Sequence, residues 1–449
     1  MDKKRITRTL DLPVIAETEL LVLGGSCTGV FAAVRAAKLG IRTMIVEKQN
    51  SFGGVATQGL VTVWHPITTM DDTKQIIGGL TDEVLQRLRR IGALEEHPEN
   101  RAISFVMNTE ELKIELDILI KEAGVTPMLH TFYSAPYTDD AGDLKGVIVA
   151  NKDGLGIILA DRFVDATGDG DLLRDLDCET WKPSDPQPPT PGMKIAGLKN
   201  VTEPMLIKLV GEHGSEVGLN PDRGWGTNVP GAEDMLFFAP THVYHVDCAD
   251  PKDLTYAEIE SRRHIRAVMD LLRKYYPDEK AALCAVDAYI GIRESRHVRC
   301  LKQLKGEELL VGKHFDDAVA FGTYPVDLHT NEDFALTWYY LDGSKVIRRN
   351  GQPDEVTTWL KPGQKPTNFY QIPLSCVIPR NTPRVIAAGR MLDADTAAFG
   401  AARVMVNLNQ LGEAAGIAVY DSLNRSVDIQ SVDAGNVREL LKKGGSLIQ

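Results

Sequence analysis

A group of glycines near the N-terminus has the spacing of a phosphate-binding turn. Gly24-Gly25-Ser26-Cys27-Thr28-Gly29 follows an apolar run and precedes an alanine-rich segment. Gly24 permits a tight turn, Gly29 permits close helix packing, and the helix N-terminus offers free N–H groups to a pyrophosphate. Ser26 stands where this pattern normally has a second glycine. Glu47 lies about 20 residues further on, where an acid accepts hydrogen bonds from ribose hydroxyls. The sequence therefore predicts a dinucleotide site.

A second group of ionisable residues lies in the middle of the chain. The segment 291–297 contains Arg293, Glu294, Arg296 and His297. If the two arginines share one face of a helix, they clamp a carboxylate or polar substrate, with Glu294 as their structural partner. The alternative is an ion network that fixes this helix against a neighbouring domain. The sequence leaves both interpretations open.

Metal and disulfide chemistry find little support in the sequence. His242 and His245 are three residues apart, but on strand-like sequence they point to opposite faces, and no third ligand is apparent. The six cysteines are widely scattered and lack both Cys-x-x-Cys pairs and zinc-ligand spacing. We therefore predict no metal site and expect reduced thiols.

Regular elements are needed to hold these groups in place. Residues 19–23 predict a strand, residues 30–40 a helix that ends at Gly40, and residues 42–46 a strand that leads into Glu47. Further predicted helices lie within 74–94 (Val84, Leu85 and Leu88 inward), at 109–123 (Thr109 as N-cap, Gly124 as stop), at 255–276, and from Gly400 to near Leu423 as the closing helix. Short strands are predicted in 125–165, 334–340 and 384–388, and irregular structure in the Pro-, Gly- and Asp-rich residues 180–231.

Composition excludes several classes of function. The chain of 449 residues is 43% hydrophobic and has a formal net charge of −12, without a basic run that could bind nucleic acid or an anionic membrane. It contains no apolar stretch of roughly 18 residues that could span a bilayer. The basic residues 1–5 lead into Asp11 and Glu17 instead of an apolar signal core, so we expect a cytoplasmic protein. A homo-oligomer is left open.

Four blocks follow one another along the chain: the glycine turn through Glu47-Lys48; residues 53–61 with 77–80; residues 164–171; and residues 370–374 through Gly389-Arg390 to 400–405. Together with the segment 291–297, they resemble a family of FAD-dependent oxidoreductases in the flavoprotein group of glutathione reductase and the fumarate reductase flavoprotein. The resemblance covers essentially the whole chain. It implies an α/β fold in which a Rossmann-like FAD-binding domain, a parallel sheet with a β-meander, is interwoven with a mixed α+β substrate or cap domain. We expect the first domain to comprise 15–60, 105–178 and 373–425, and the second 61–104 and 179–372.

The resemblance also implies noncovalent FAD and assigns residues to it. Gly24, Gly25, Ser26, Cys27, Thr28 and Gly29 are expected at the pyrophosphate, Glu47 at the adenosine ribose, and Lys48, Gly53 and Gly54 along the phosphate and ribityl chain, with Val55, Ala56 and Thr57 in the same loop. The backbone of Tyr133 is expected near adenine, while Ala166, Thr167, Gly168, Asp169, Gly389 and Arg390 approach closely. A helix that begins around Val404-Met405 aims its N–H groups at the anionic ring of reduced flavin.

Three residues are candidates for substrate chemistry. Taking a hydride from a C–H bond beside oxygen or nitrogen needs a base, and His65 follows a loop that approaches the flavin in this family. The alternative for His65 is a histidine satisfied by backbone carbonyls. Arg403 is expected to add positive charge beside the ring or to bind an anionic substrate, the alternative being a surface salt bridge. Arg293 is the third candidate, as a substrate clamp.

The leading hypothesis is a dehydrogenase or oxidase that transfers hydride between a small polar organic substrate and flavin N5, with an unnamed electron acceptor. The alternatives are an FAD-binding protein without net redox turnover, such as a hydratase or isomerase, and a non-catalytic FAD-bearing scaffold. An RNA-modifying flavoprotein is disfavoured by the net charge of −12. A glutathione-reductase mechanism is disfavoured because the sequence lacks a second Rossmann turn and a redox-active cysteine pair.

Overall fold

The computed structural model describes residues 6–7, 9–222 and 224–449, so the basic residues 1–5 lie outside it. Its helices are α1 (Cys27–Lys38), α2 (Gly79–Arg90), α3 (Thr109–Glu122), α4 (Asp171–Asp175), α5 (Glu203–His213), α6 (Pro251–Tyr275), α7 (Gly306–Leu310), α8 (Thr396–Ala402), α9 (Met405–Arg425) and α10 (Ala434–Lys443). Its strands are β1 (Val14–Leu23), β2 (Thr43–Val46), β3 (Val63–Trp64), β4 (Leu94–Glu96), β5 (Phe105–Met107), β6 (Thr126–Met128), β7 (Phe132–Thr138), β8 (Leu144–Asn151), β9 (Gly154–Asp165), β10 (Thr180–Trp181), β11 (Met193–Ala196), β12 (Trp225–Val229), β13 (Ala232–Ala239), β14 (Ala282–Val286), β15 (His297–Val298), β16 (Ala318–Gly322), β17 (Val326–His329), β18 (Leu336–Tyr339), β19 (Ser344–Arg348), β20 (Glu355–Thr358), β21 (Tyr370–Pro373) and β22 (Val385–Ala387).

The main sheet is of the Rossmann type and carries a β-meander. Its strand order is β6-β2-β1-β9-β8-β7, and β22 pairs with the C-terminal end of β9. β6, β2, β1, β9 and β22 run parallel, whereas β8 runs antiparallel to both of its neighbours, β9 and β7. Leu23 is level with Val46 and Asp165, and Asp165 with Ala387. The loops after β1, β2, β9 and β22 therefore leave the sheet at one edge, where doubly wound sheets bind ligands.

The C-terminal helix α9 lies against α1. A Cβ at Gly412 would lie 2.2 Å from the carbonyl oxygen of Thr28, and one at Gly416 would lie 2.3 Å from that of Ala32. Glycine at these two positions lets the helix backbones touch. The tail of the chain thereby returns to the first βα turn, and the N-terminus of α9 comes to the same sheet edge. A buried ion pair between Arg35 of α1 and Glu413 of α9 also joins the two helices.

The middle of the chain forms smaller sheets and a second core. The sheet β12-β13-β11-β14 packs with α5 and α6 around Met193, Phe238 and Leu272. A second four-stranded sheet, β17-β18-β19-β20, follows it. This is the mixed α+β composition that the resemblance implied. The boundaries of the two domains stay a prediction, and the inward residues of α2 lie in the same core as the main sheet.

Several predicted elements are confirmed, and some are wrong in detail. The strands at β1, β2 and β22 and the helices at α1, α2, α3 and α6 form as expected. The N-cap of α3 is Asn108, not Thr109, because the Asn108 side chain accepts a hydrogen bond from the N–H of Glu110. Residues 180–231 are not irregular throughout, since they contain β11, α5 and β12. The Pro-, Gly- and Asp-rich composition of this segment suggested irregular structure. A proline in the first turn of a helix is well tolerated, however, and α5 has one there. Nor does the chain close with the helix that ends at Arg425, because α10 follows it.

Candidate functional site

A cavity of about 740 Å³ lies at the carboxyl edge of the main sheet. This volume is within the roughly 300–1,000 Å³ usual for small-molecule sites. Most residues that the sequence assigned to a cofactor line it: Gly24, Ser26, Cys27, Thr28, Glu47, Lys48, Gly53, Gly54, Val55, Tyr133, Ala166, Thr167, Gly168, Asp169, Gly389, Arg390, Val404 and Met405. The three catalytic candidates, His65, Arg293 and Arg403, line the same cavity. The fold thus brings together two groups of residues that lie far apart in the sequence.

The remaining predicted cofactor residues, Gly25, Gly29, Ala56 and Thr57, stand behind the cavity wall. The N–H of Gly25 donates to Oε2 of Glu47 over 2.6 Å, and Thr57 Oγ1 donates to the carbonyl oxygen of Phe52 over 2.7 Å. These contacts hold the two glycine loops in shape. Direct contact of these four residues with a cofactor stays a prediction.

The first βα turn has the geometry of a phosphate site. Gly24 has φ +98°, and a Cβ there would lie 2.3 Å from the carbonyl oxygen of Ala166, so only glycine fits. Ser26 is the N-cap of α1, and its hydroxyl accepts a hydrogen bond from the N–H of Gly29 over 3.3 Å. The serine that replaces the usual glycine therefore satisfies one N–H group of the first helical turn. Cys27 and Thr28, which begin the helix, line the cavity and offer the helix N-terminus to an anion.

The turn after β9 is built over a buried carboxylate. Asp165 accepts hydrogen bonds from the N–H and the hydroxyl of Thr167, at 3.1 and 2.7 Å, and from the N–H of Leu173 at 3.1 Å. Burial raises the pKa of Asp165 to about 6. At the cavity wall, Arg390 Nη2 donates to Asp169 Oδ1 over 2.7 Å. Burial raises the pKa of Asp169, but the charges of Arg390 and Lys48 and the hydrogen bonds from Ser295 and Arg390 together lower it.

Gly389 leaves space for a ligand, and the start of α9 offers it hydrogen-bond donors. Gly389 has φ +127°, and the nearest heavy atom to a Cβ built there is Sδ of Met391 at 3.6 Å, so a side chain would project into open cavity space. Val404, the N-cap of α9, provides no side-chain cap. The first-turn N–H groups of α9 therefore remain available to an anionic ligand. Nε of Arg390 also lacks a hydrogen-bond partner among the described residues. This combination fits a dinucleotide with an anionic ring system.

His65 and Arg403 lie together at the other end of the cavity. The His65 ring is 4.1 Å from the Tyr324 ring, and its Nδ1 has no hydrogen-bond partner in the described part of the chain. Burial, and then the charge of Arg403, lower the pKa of His65 to about 4. Arg403 Nη2 donates to Asp327 Oδ2 over 2.7 Å, and both side chains are largely buried. The charge of Arg403 is therefore matched by a carboxylate.

Asp327 links several of these groups. Its Oδ2 also accepts from the Tyr324 hydroxyl at 2.9 Å and lies 3.2 Å from His329 Nε2. Burial raises the pKa of Asp327, but its interaction with His329, including a hydrogen bond, and the charges of Arg403 and Arg293 prevail and hold it well below its usual range. Burial lowers the pKa of His329 to about 3, so this ring is neutral near pH 7.

The segment 293–297 is not a helix, which corrects the expectation from the sequence. Residues 293–296 form no regular element, and His297 begins β15. Arg293 Nη1 donates to the carbonyl oxygen of Pro188 over 2.8 Å, whereas Arg296 Nη1 donates to that of Asp169 over 2.9 Å. The arginines do not form a common clamp, because they donate to acceptors in different parts of the protein.

Glu294 is not the partner of either arginine. Its Oε1 lies 3.0 Å from His297 Nε2, and its Oε2 accepts from the N–H of Gln187 over 2.9 Å. Glu294 and His297 are both buried. This pair belongs to the supporting structure, in line with the alternative that the sequence left open.

A buried aspartate–histidine pair was missed by the sequence interpretation. Asp222 Oδ2 accepts from the N–H of His242 over 2.8 Å and contacts His242 Nδ1. Nε2 of His242 has no hydrogen-bond partner among the residues described, and His242 lines the cavity. Burial lowers the pKa of His242, against the opposing charge of Asp222. The His242 ring also lies 4.6 Å from that of His329.

The sequence signal for this pair was weak. His242 stood out only beside His245, and the two lie on an irregular loop instead of the strand that we expected. His245 is held elsewhere, since its N–H donates to Asn331 Oδ1 over 2.9 Å. In the described part of the chain, no group of three or more His, Cys, Asp or Glu is arranged to hold a metal ion. The six cysteines are free thiols.

The parallel sheet, the capped glycine turn and the cavity define a dinucleotide-binding protein of the Rossmann type. The chain belongs to the family of FAD-dependent oxidoreductases, whose model matches residues 19–441. Its cofactor is FAD, and the uncapped α9 N-terminus and the open space at Gly389 suit that molecule. Among proteins with curated descriptions, none matches the chain significantly. No helix in the described ranges combines the length and apolar character needed to cross a membrane.

Solved structures with a similar chain course are distant in sequence. A geranylgeranyl bacteriochlorophyll reductase-like protein from Thermoplasma acidophilum is 11% identical, with 96% of this chain and 84% of that chain covered and a TM-score of 0.46. The flavin-dependent brominase Bmp2 is 11% identical, with 96% and 84% covered and a TM-score of 0.45. The myxobacterial chondrochloren halogenase CndH is 12% identical, with 96% and 79% covered and a TM-score of 0.44. Similarities at this level carry no argument about activity.

Proposed function

We propose that this protein is a dehydrogenase or oxidase that removes a hydride and a proton from a small polar organic substrate. The observation that carries the proposal is one cavity lined both by the glycine turn at Gly24 and by the unpaired Nε2 of His242. FAD, when bound, supplies a two-electron acceptor that takes up a hydride at N5. We also infer kinship with the glutathione reductase and fumarate reductase flavoprotein group, on the four sequence blocks that resemble it.

His242 is the base that this geometry favours. Oxidation of a C–H bond beside oxygen or nitrogen to a double bond releases one hydride and one proton. Contact with Asp222 keeps the proton of His242 on Nδ1, which leaves Nε2 as the acceptor. Because burial lowers the pKa of His242, the ring is neutral near pH 7 and ready to take the substrate proton. Asp222 then stabilises the imidazolium that forms.

His65, the base predicted from the sequence, is kept as the second candidate. It lines the cavity and its Nδ1 is unpaired among the described residues. No carboxylate lies within salt-bridge distance of its ring in that part of the chain, however, whereas His242 has Asp222. A base that must hold a positive charge gains from such a partner, so His242 is preferred.

Anaerobic titration of the FAD-loaded protein tests the proposal. Sugars, hydroxy acids and amines are added in turn while the flavin band (about 450 nm, a property of the cofactor) is followed. We expect one compound class to bleach the band and to yield an equimolar oxidised product. Product formation with an unbleached band instead indicates the alternative of FAD without net redox turnover, and a protein that takes up no FAD refutes the cofactor assignment.

A matched pair of variants assigns the base. His242→Asn and His65→Asn each remove one imidazole from the same cavity wall. We expect His242→Asn to bind FAD normally but to be reduced at least about a hundredfold more slowly. His65→Asn should lose much less. The reverse order of losses would return the role of base to His65.

A further inference from the structure

Three of the four arginines that line the cavity form ion pairs. Arg390 pairs with Asp169, and Arg403 with Asp327, each over 2.7 Å. Arg348, which also lines the cavity, pairs with Asp354. These ion pairs compensate most of the positive charge that faces the cavity.

Arg293 is different. It lines the cavity but forms no ion pair with any carboxylate of the described residues. Its Nη1 donates to the carbonyl oxygen of Pro188 over 2.8 Å and to the hydroxyl of Thr190, which are neutral acceptors. No described residue accepts a hydrogen bond from Nε or Nη2. A guanidinium stays charged near neutral pH, so this arginine presents to the cavity a positive charge without an ion-pair partner, which Asp327 and Asp222 offset only at longer range.

Lys48 also lacks an ion pair among the described residues, but it lies at the other end. It directly follows Glu47 at the end of β2, beside the glycine turn. Its charge is expected to meet the cofactor phosphates. Arg293, in contrast, acts electrostatically on His242, His329 and Asp327. Arg293 therefore belongs to the group formed by His242, His329 and Asp327, which we call the acid–base cluster.

Aromatic and aliphatic side chains also line the cavity, and the ion-paired Arg348 lies 5.1 Å from the ring of one of them, Trp338. Trp225, Phe237, Leu336 and Trp338 line the cavity. The rings of Trp225 and Phe237 are 5.0 Å apart. Aromatic walls with one strong cation suit an organic anion whose body is apolar and whose charge is planar, since guanidinium binds a carboxylate through two parallel hydrogen bonds.

We propose that Arg293 is a carboxylate-binding residue and that the substrate of the proposed oxidation is an organic carboxylate. That the bound anion is a substrate rests on the proposed function, whereas the existence of the anion site does not. A carboxylate held by the free guanidinium nitrogens would place the adjoining carbon among the groups on which Arg293 acts, including His242. It would also compensate the one cation of this cluster that the protein leaves without a partner.

Calorimetric titration of the FAD-loaded protein with benzoate and benzamide tests the proposal without turnover. The two probes have nearly the same shape and differ in charge. We expect benzoate to bind between about tenfold and a hundredfold more tightly, because hydrogen bonds to charged groups are worth roughly 1.5–3 kcal/mol. Arg293→Met should abolish that preference, and Arg293→Lys should retain part of it.

The control is Arg349→Met, which removes a cation paired with Asp333 and Glu355 outside the cavity and should leave the preference unchanged. The flavin content of each variant is measured alongside. Equal binding of the two probes to the unmodified protein overturns the proposal, and this comparison needs no variant. So does a preference for benzoate that survives in Arg293→Met, or a loss of FAD in place of a loss of benzoate.

The outcomes separate this inference from the proposed function. A neutral substrate that bleaches the flavin, together with equal binding of the two probes, keeps the oxidoreductase and removes the carboxylate site. Selective benzoate binding without any bleaching compound keeps the anion site and removes the oxidation.

Discussion

The replacement Asp222→Asn tests the catalytic pair most directly. Asp222 contacts His242 Nδ1 and accepts from the His242 N–H over 2.8 Å, and an asparagine oxygen can still take the latter bond. The negative charge is lost, however, and with it the stabilisation of the imidazolium that forms when Nε2 accepts a proton. Two unit charges about 4 Å apart interact by about 4 kcal/mol at an effective dielectric constant of ~20. At about 1.36 kcal/mol per factor of ten, we expect flavin reduction to slow by up to about 10³-fold.

The assay is stopped-flow flavin reduction under anaerobic conditions, with the compound that the titration identifies. Substrate affinity should change little or rise slightly, because Asp222 contacts the base and its charge acts on Arg293 only at longer range. The acidic limb of the rate profile should move to lower pH, since the charge of Asp222 raises the pKa of His242 and its removal lowers that pKa further. Glu260→Gln is the matched control: it removes the carboxylate 3.3 Å from His264, a buried histidine that does not line the cavity. A loss below about fivefold in Asp222→Asn, or an equal loss in the control, refutes the assignment.

Three further predictions concern folding and the cofactor. Glu413→Gln leaves Arg35 buried without its carboxylate and should lower the free energy of unfolding by about 3–5 kcal/mol. Glu83 is partly exposed and pairs with Lys38, so Glu83→Gln should lower the free energy of unfolding by less than about 1 kcal/mol. Urea titration compares the two variants. Gly389→Ala places a methyl group in open cavity space, but at φ +127° an alanine is strained, so thermal melting should show a folded protein with a lower melting temperature, and its FAD affinity, measured by equilibrium dialysis, should be clearly weakened. In the folded protein the pKa of His65 is lowered to about 4, so as the pH falls below about 6.5 this histidine is protonated in the unfolded chain before it is protonated in the folded one. Between these two pH values the free energy of unfolding should fall by up to about 1.4 kcal/mol per pH unit because of this group. His65→Gln should remove that part of the pH dependence.

The cofactor half of the site could be predicted from the sequence because its determinants are local. A strand, a glycine turn, a helix and an acid follow one another within 19–47, and each fixes the conformation of its neighbour. The later glycine loops each follow a strand of the same sheet. Parallel strands end at one edge, so the loops after residues 165 and 387 had to meet the first turn.

The acid–base half could not be predicted in the same way. Asp222 and His242 lie on irregular segments 20 residues apart, on either side of β12 and β13. No periodicity relates them, and their contact depends on how the sheet β12-β13-β11-β14 places its flanking loops. The helical interpretation of 293–297 failed for a related reason. Its two arginines suggested one face of a helix, whereas partners far away in the sequence hold the segment in an irregular conformation.

The irregular conformation of 293–296 lets its side chains contact different parts of the protein. Arg293 lines the cavity and donates to the Pro188 carbonyl oxygen and the Thr190 hydroxyl, whereas the buried Glu294 contacts His297. The Ser295 hydroxyl donates to the Asp169 carboxylate, and Arg296 Nη1 donates to the Asp169 carbonyl oxygen. Neighbouring residues of one short segment therefore contact the substrate end of the cavity, the protein core and the turn expected to close over FAD. A helix would have placed Arg293 and Arg296 on one face and left the turn at Asp169 without these donors. Arg296 is used to hold the turn at Asp169, so of the two arginines only Arg293 is left for the anion site that we propose.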